Sequence, residues 1–184
     1  MESLENQFLI AMPSLGDSYF SKTVTYICEH NDEGAMGLVI NMPVNITLNE
    51  LLTQIDDGLE ENPKLEQQVL SGGPVSQQRG FVLHSPQSGW NSSLSLSDEV
   101  MITTSKDILM ALGTDKAPEH FMVTLGYSGW GPGQLEEEIQ QNSWLVIDAD
   151  NDILFNTPIE ERWKKATEKI GINIANLSSD VGHA

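Results

Sequence analysis

The fold is decided by residues 23–41, which read TVTYICEHNDEGAMGLVIN. Residues 23–28 alternate in part between polar and apolar side chains and are rich in β-branched types, a pattern typical of a strand. Residues 31–34 are Asn-Asp-Glu-Gly, which favour a tight turn, and residues 37–40 are apolar again before Asn41. The stretch therefore predicts a β-hairpin near the beginning of the chain.

Short apolar runs on either side of this hairpin predict further strands. They lie at residues 8–12, 80–84, 94–96, 100–103 and 120–125, and residues 144–147 and 153–155 are predicted to form a second hairpin. Helices are predicted at residues 48–55 behind a Thr47–Glu50 capping box, after Ser105, at residues 134–141 and from residue 158 to about 170. Because strands cluster and helices are inserted irregularly, the pattern favours an α+β fold over a doubly wound sheet.

Length and composition indicate one globular unit. The chain has 184 residues, 39% of them hydrophobic, which suffices for a packed core. No repeat or linker interrupts it, so we predict a single compact domain over residues 1–184. The polar stretch from about 171 to 184 is expected to be a flexible tail.

The charge balance limits the classes of partner. Nine Lys and Arg stand against 27 Asp and Glu, a net charge of -18, which repels phosphate backbones and anionic lipids. Direct nucleic-acid or membrane binding is therefore not expected, and no apolar run reaches the roughly 18 residues that span a bilayer. With an acidic start instead of a signal peptide, and with one cysteine, the chain is expected to be cytoplasmic.

Cys28-Glu29-His30 is the strongest motif for chemistry. A thiolate is a nucleophile, and a nearby cationic histidine lowers a thiol pKa. Neighbours along a strand point to opposite faces, so Cys28 and His30 are predicted to share one face, with Glu29 on the other. The alternative is that Cys28 is a small buried core residue, which is common for free cysteines.

The glycine-rich stretch at residues 126–133 suggests a pocket rather than a catalytic loop. Ser128 lies in Gly-Tyr-Ser-Gly-Trp, which lacks the last glycine of a nucleophile elbow. No Lys-Ser or Lys-Thr follows to make a phosphate loop. We interpret the stretch as a structural loop from which Tyr127 and Trp130 line a site for a neutral or cationic ligand.

No metal site or cofactor is predicted. Residues 148–152 begin like a calcium loop but lack its glycine at position six and glutamate at position twelve. His30, His84 and His120 have no metal-ligand spacing among themselves.

Several segments resemble the YqgE/AlgH family of bacterial proteins. They are FLIAMP (8–13), YICEHN (26–31), GAMGLVIN (34–41), GGPV (72–75), RGFVLH (79–84), LGY (125–127), GWG (129–131), GQLE (133–136), FNTP (155–158) and RW (162–163). The resemblance covers nearly the whole chain and implies a compact α+β domain with a bent, mixed and largely antiparallel sheet and flanking helices. Ser18, Met42 and Ser128 depart from the family pattern, and an alanine common at position 128 argues against a catalytic serine there.

The resemblance brings no established activity, so three functions stay open. We favour a non-catalytic regulatory or binding protein with a small-molecule or protein partner. The alternatives are a thiol-dependent protein that uses Cys28 and a transcriptional regulator that acts indirectly. The candidate binding residues, all within segments of the resemblance, are Asn41, Gly73, Pro74, His84, Tyr127, Trp130 and Gln134.

Overall fold

The computed structural model describes residues 2–11, 22–56, 58, 62, 65–169 and 171. The strands are β1 (Gln7–Ala11), β2 (Val24–Asn31), β3 (Gly34–Val39), β4 (Pro43–Thr47), β5 (Gln68–Ser71), β6 (Val75–His84), β7 (Ser93–Ser95), β8 (Met101–Thr103), β9 (Phe121–Trp130) and β10 (Trp144–Asp148). The helices are α1 (Leu48–Ile55), α2 (Lys106–Ala111), α3 (Gln134–Gln140) and α4 (Arg162–Lys169), with a π-helical turn at Asp152–Asn156 and a 3-10 turn at Ile159–Glu161. The predicted tail lies outside the described residues, apart from Gly171.

The ten strands of the described residues form one curled sheet. Its main path runs β10-β1-β2-β3-β9-β6-β8-β7, with β5 pairing to β4 and β9. The β5–β9 pair is parallel and the other pairs are antiparallel. This half-barrel with a few helices confirms the predicted α+β fold with a bent, mixed and largely antiparallel sheet.

Strand β9 joins the two halves of the sheet. Its first part pairs with β6, whereas its last residues, up to Trp130, pair with β3. Gly126 lies at the β-bulge of the β6 pairing, between Leu125 and Tyr127, with φ 78°, and a Cβ there would meet the Gly73 carbonyl oxygen at 2.5 Å. Only glycine fits this position without strain, because other residues rarely adopt a positive φ and the neighbouring backbone is too close.

The two faces of the sheet are packed differently. On one face, side chains from strands near both ends of the path, such as Phe8 and Ile102, join a single hydrophobic cluster. The other face carries two separate clusters, one under α1 and α2 and one that includes Leu135 of α3. The single cluster therefore marks the concave face of the half-barrel.

One end of the concave face is closed by the segment from Asp152 to Lys169. Ile153, Leu154 and Trp163 of this segment belong to the concave cluster. The buried Arg162 donates hydrogen bonds to the carbonyl oxygens of Ile40 and Thr157. Because the Ile40 carbonyl lies outside the segment, directly after β3, the bond to it fixes the segment over this end of the sheet.

The predicted first hairpin and first helix are confirmed. Asn31 pairs with Gly34 across the turn between β2 and β3, and the Asn31 side chain accepts the Glu33 N–H at 2.8 Å. At α1, the Thr47 hydroxyl accepts the Glu50 N–H at 3.2 Å and donates to the Glu50 carboxylate at 3.3 Å. This contact is the local stabilisation expected of a threonine at a helix start.

The predicted strand at residues 153–155 is wrong. These residues form the π-helical turn, and β10 pairs with β1 instead. The Asp150 carboxylate accepts the N–H groups of Asp152 at 2.9 Å and Ile153 at 3.4 Å, which starts a helical turn rather than a hairpin. The glycine-rich stretch also differs from the predicted loop, since β9 continues to Trp130.

Candidate functional site

The open end of the concave face holds a cavity of about 550 Å³. Its lining residues come from strands β2, β3, β6, β7, β8 and β9. Ser92, just before β7, and Thr104, just after β8, also line it. The lining residues are Cys28, Glu29, Met36, Arg79, Phe81, Ser92, Ser93, Leu94, Ile102, Thr104 and Tyr127. None of these lining residues belongs to the Asp152–Lys169 segment. We call this space the open-end cavity.

The floor of the open-end cavity is apolar and aromatic. Phe81 and Ile102 are buried members of the concave cluster, and Met36 packs against it. Phe81 and Tyr127 contact each other edge to face, with ring centroids 6.0 Å apart. Such a floor offers dispersion contacts and ring faces to a ligand.

Arg79 stands exposed over this floor. Its guanidinium lies above the Phe81 ring, 5.2 Å from the centroid, at a distance that allows a cation–π interaction. Within the described ranges, no carboxylate lies within 4.0 Å of it. The guanidinium N–H groups are therefore available to a ligand.

A β-bulge in β2 overturns the predicted pairing of Cys28 with His30. Ile27 pairs with Gly37 and Glu29 with Met36, so Cys28 is an extra residue between them. The bulge shifts the alternation by one position, and Cys28 and Glu29 both line the cavity. His30 consequently lies on the convex face.

Cys28 is a buried thiol rather than an activated one. Its side chain is 4% exposed, and the Sγ donates weakly to the Tyr26 carbonyl oxygen at 3.7 Å. Burial raises the pKa of the thiol far above its usual range, and the negative charges of Glu29 and Glu5 raise it further. The protonated thiol is a poor nucleophile at neutral pH.

His30 holds the convex side of β2 together. Its Nδ1 accepts the Leu4 N–H at 2.9 Å, so Nε2 carries the hydrogen and donates to the Glu136 carboxylate at 2.7 Å. The Glu5 carboxylate accepts the backbone N–H of His30 at 3.2 Å. The ring thus joins the N-terminal segment to α3, which is a structural arrangement.

Trp130 and Gln134 belong to the same convex side and not to the cavity. The indole N–H groups of Trp130 and Trp144 both donate to Glu138 Oε1, at 3.1 and 2.9 Å. Gln134 accepts the Gly131 N–H and donates to the other Glu138 oxygen, each at 2.9 Å. The structure therefore does not bring Tyr127 and Trp130 together, because they lie on opposite faces of β9.

Asn41 and His84 make internal hydrogen bonds. The Asn41 side chain accepts the Val24 N–H and donates to the Lys22 carbonyl, both at 2.9 Å. His84 is fully buried, with Nδ1 donating to the Ser85 carbonyl at 2.8 Å and Nε2 accepting from Thr103 at 2.6 Å. Burial lowers the pKa of His84, opposed by the Ser85 bond, so the neutral ring is favoured.

Gly73 and Pro74 lie beside the cavity. A Cβ on Gly73 would meet the Tyr127 carbonyl carbon and oxygen at 2.2 Å, so this glycine lets the backbone cross β9 closely. Pro74 is exposed and lines a shallow surface depression with residues 76–79. Arg79 borders both this depression and the open-end cavity.

Ser128 is a buried structural hydroxyl. It donates to the Gly72 carbonyl oxygen at 3.2 Å and lies inside β9 rather than between a strand and a helix. This position agrees with the sequence argument against a nucleophile elbow.

Among the predicted site residues, Cys28 and Tyr127 line the cavity, whereas His30, Asn41, Gly73, Pro74, His84, Trp130 and Gln134 do not. Sequence reasoning missed Glu29 and Arg79 as members of one site. Arg79 carried a usable signal, because it is one of only nine cations and precedes the apolar strand residue Phe81 by two positions. That spacing places both side chains on one face.

No group of three or more His, Cys, Asp or Glu within the described ranges could hold a metal ion. In the same part of the chain, every helix is too short or too polar to cross a membrane.

Comparisons with known proteins agree with the fold and the sequence resemblance. A relative from Colwellia psychrerythraea, named UPF0301 protein, is 65% identical over 100% of both chains. Another UPF0301 protein, from Vibrio cholerae, is 53% identical and covers 99% of this chain and 100% of its own.

Two solved structures share the fold. The solution structure of the AlgH protein from Pseudomonas aeruginosa is 42% identical, covers 97% of this chain and 96% of its own, and has a TM-score of 0.82. A crystal structure from Corynebacterium diphtheriae, at 18% identity and TM-score 0.74 over 92% of this chain and 88% of its own, shows the fold alone. The family described as AlgH-like (DUF179) matches residues 8–175. The chain therefore belongs to the AlgH-like (UPF0301) family of bacterial proteins.

Proposed function

We propose that this chain is a non-catalytic regulatory or binding protein that takes up a small molecule in the open-end cavity. One observation carries the proposal: the concave hydrophobic cluster continues into the cavity wall through Cys28, Phe81 and Ile102. The protein itself covers this cluster at the closed end. At the open end, a ligand would take that place.

The rim supports the same conclusion. Leu94 of the edge strand β7 is 61% exposed although it lines the cavity. An apolar ligand seated against Leu94 and Phe81 would remove part of this surface from water, which favours binding. Ser92, Ser93 and Thr104 add hydroxyl groups that can orient a polar part of the ligand.

The volume of the cavity and the net charge of the chain favour a small-molecule ligand over a nucleic acid. A volume of about 550 Å³ suits a compact organic ligand. The net charge of -18 opposes direct contact with nucleic acid, so any effect on transcription would be indirect.

The arrangement of titratable groups supports binding without catalysis. Cys28 is the thiol that lines the cavity, and no histidine lines it with Cys28 among the described residues. His30 donates to Glu136 on the other face of the sheet. A thiol-dependent role would need a thiolate, which burial and the charges of Glu29 and Glu5 oppose by raising the pKa of Cys28.

The test is a fragment screen by ligand-observed NMR on the full chain and on Met36→Trp. The larger side chain at position 36 would fill the cavity from its floor, so fragments that bind the wild type should lose binding in this variant. The control is Gln140→Trp, which adds the same ring at an exposed position of α3. Equal binding to wild type and Met36→Trp, or no binding fragment at all, would overturn the proposal.

A further inference from the structure

We infer that the open-end cavity selects a small amphipathic monocarboxylate, with its carboxylate on Arg79 and its apolar body on Phe81 and Tyr127. This inference rests on the proposed function and names its ligand class. It goes beyond the sequence prediction of a neutral or cationic ligand at Tyr127.

Arg79 supplies the anion-binding group. It is exposed at the cavity wall, and within the described ranges it makes no ion pair, although 27 acidic residues are present in the chain. Stacking on Phe81 restrains the guanidinium while its N–H groups stay free at the edges. A planar guanidinium matches a carboxylate with two parallel hydrogen bonds.

The apolar body of the ligand is placed by the floor. Arg79 and Phe81 lie two residues apart on β6, and Phe81 touches Tyr127 edge to face at 6.0 Å. A carboxylate held by Arg79 would therefore leave the attached ring or alkyl chain over these two rings and Met36. Aromatic rings bind one another in offset or edge-to-face geometry, which this pair of rings allows.

Glu29 limits the charge at the far end of the ligand. It lines the cavity from β2, which is three strand positions from β6 along the order β2-β3-β9-β6. Neighbouring strands lie about 4.8 Å apart, so the two strands are separated by about 14 Å along the sheet. A second carboxylate at the far end would meet Glu29 and be repelled, whereas a hydroxyl could donate to it.

The test uses four probes of similar shape and different charge. They are 4-(hydroxymethyl)benzoate, its neutral benzamide, the corresponding benzylamine and the dianion terephthalate. Dissociation constants are measured by amide chemical-shift titration of the full chain at low salt. We expect the benzoate to bind at least about 10-fold more tightly than the amide, the amine or terephthalate, because charge-assisted hydrogen bonds are stronger than neutral ones.

Two variants of the charged residues sharpen the result. Arg79→Gln should weaken benzoate binding by about 10-fold or more and leave amide binding nearly unchanged. Glu29→Gln should strengthen terephthalate binding several-fold. Both side chains are exposed, and thermal unfolding checks that each variant is folded.

The outcomes separate the ligand class from the proposed function. If the amine or amide binds as tightly as the benzoate, or if Arg79→Gln binds benzoate like the wild type, the ligand class is wrong. The ligand class is also wrong if the benzoate does not bind, whereas other fragments bind the wild type and lose binding in Met36→Trp. Only the absence of any binding that is sensitive to Met36→Trp would overturn both proposals.

Discussion

The two ends of the concave face each carry an arginine, and the two arginines are used in opposite ways. Arg162 at the closed end is 7% exposed and donates to the carbonyl oxygens of Thr157, at 3.0 Å, and Ile40. Arg79 at the open end is exposed and rests on the Phe81 ring, with no acceptor among the described residues. One guanidinium is committed to the fold, and the other is available to a ligand.

The difference follows from what covers each end. The closed end is covered by the chain itself, and burial lowers the pKa of Arg162 to about 10, partly opposed by the charge of Glu160. A buried guanidinium is tolerated because backbone carbonyl dipoles replace the lost water. At the open end water still solvates Arg79, so a ligand carboxylate can replace water there at little cost to the fold.

The largest expected effect comes from removing the buried arginine. Arg162→Met should lower the free energy of unfolding by about 3 kcal/mol, because two buried carbonyl groups lose charge-assisted hydrogen bonds. Arg79→Met should change it by less than about 0.5 kcal/mol, as is usual for an exposed side chain. Urea unfolding of both variants measures the difference. Similar losses in the free energy of unfolding would contradict the claim that the two arginines have different roles.

A smaller effect is expected on the convex face. His30→Ala removes the hydrogen bonds to Leu4 and Glu136 and should cost about 1–2 kcal/mol in urea unfolding. The rate of Cys28 alkylation by iodoacetamide in the native protein should stay as slow as in the wild type, because the two side chains are on opposite faces. A marked change in that rate without unfolding would show that Cys28 and His30 are coupled after all.

The smallest effect concerns the pH dependence that Cys28 adds. Since its folded pKa is raised, the neutral thiol stabilises the fold fully below the unfolded pKa of about 8.5, and this contribution is lost as pH rises. Between pH 8 and about 9.3 the wild type should lose about 1 kcal/mol more of its free energy of unfolding than Cys28→Ala. Burial also raises the pKa of Tyr26. Because Tyr26 is present in both proteins, the difference between them reports the contribution of the thiol. Parallel losses in the two proteins would mean that the thiol ionises as easily folded as unfolded.

Much of the fold could be predicted from the sequence. The turn residues 31–34 and the apolar runs beside them predicted the β2–β3 hairpin, and the Thr47 cap predicted the start of α1. Residues 153–155 were mistaken for a strand because a run of three apolar residues has no period of its own. Their helical turn depends on the Asp150 carboxylate, whose hydrogen bonds are not visible in an apolar pattern.

The site was harder to predict than the fold. Strand alternation predicted that Cys28 and His30 share a face, but the bulge at Cys28 reverses the faces beyond it. Arg79 on β6 and Glu29 on β2 line the same cavity because the sheet order β2-β3-β9-β6 places their strands on either side of it. Such pairings link residues far apart in sequence, and no local pattern encodes them.

The most direct test of the account is a map of amide chemical-shift changes on adding the tightest-binding fragment to the full chain. We expect the chemical-shift changes to cluster at the open end, around Cys28, Arg79, Phe81 and Tyr127, and to be absent from α4 around Arg162. Loss of the same changes in Met36→Trp, with retention in Gln140→Trp, would assign them to the cavity. Chemical-shift changes centred on α4, or spread evenly over the protein, would contradict the claim that the open end is the binding site.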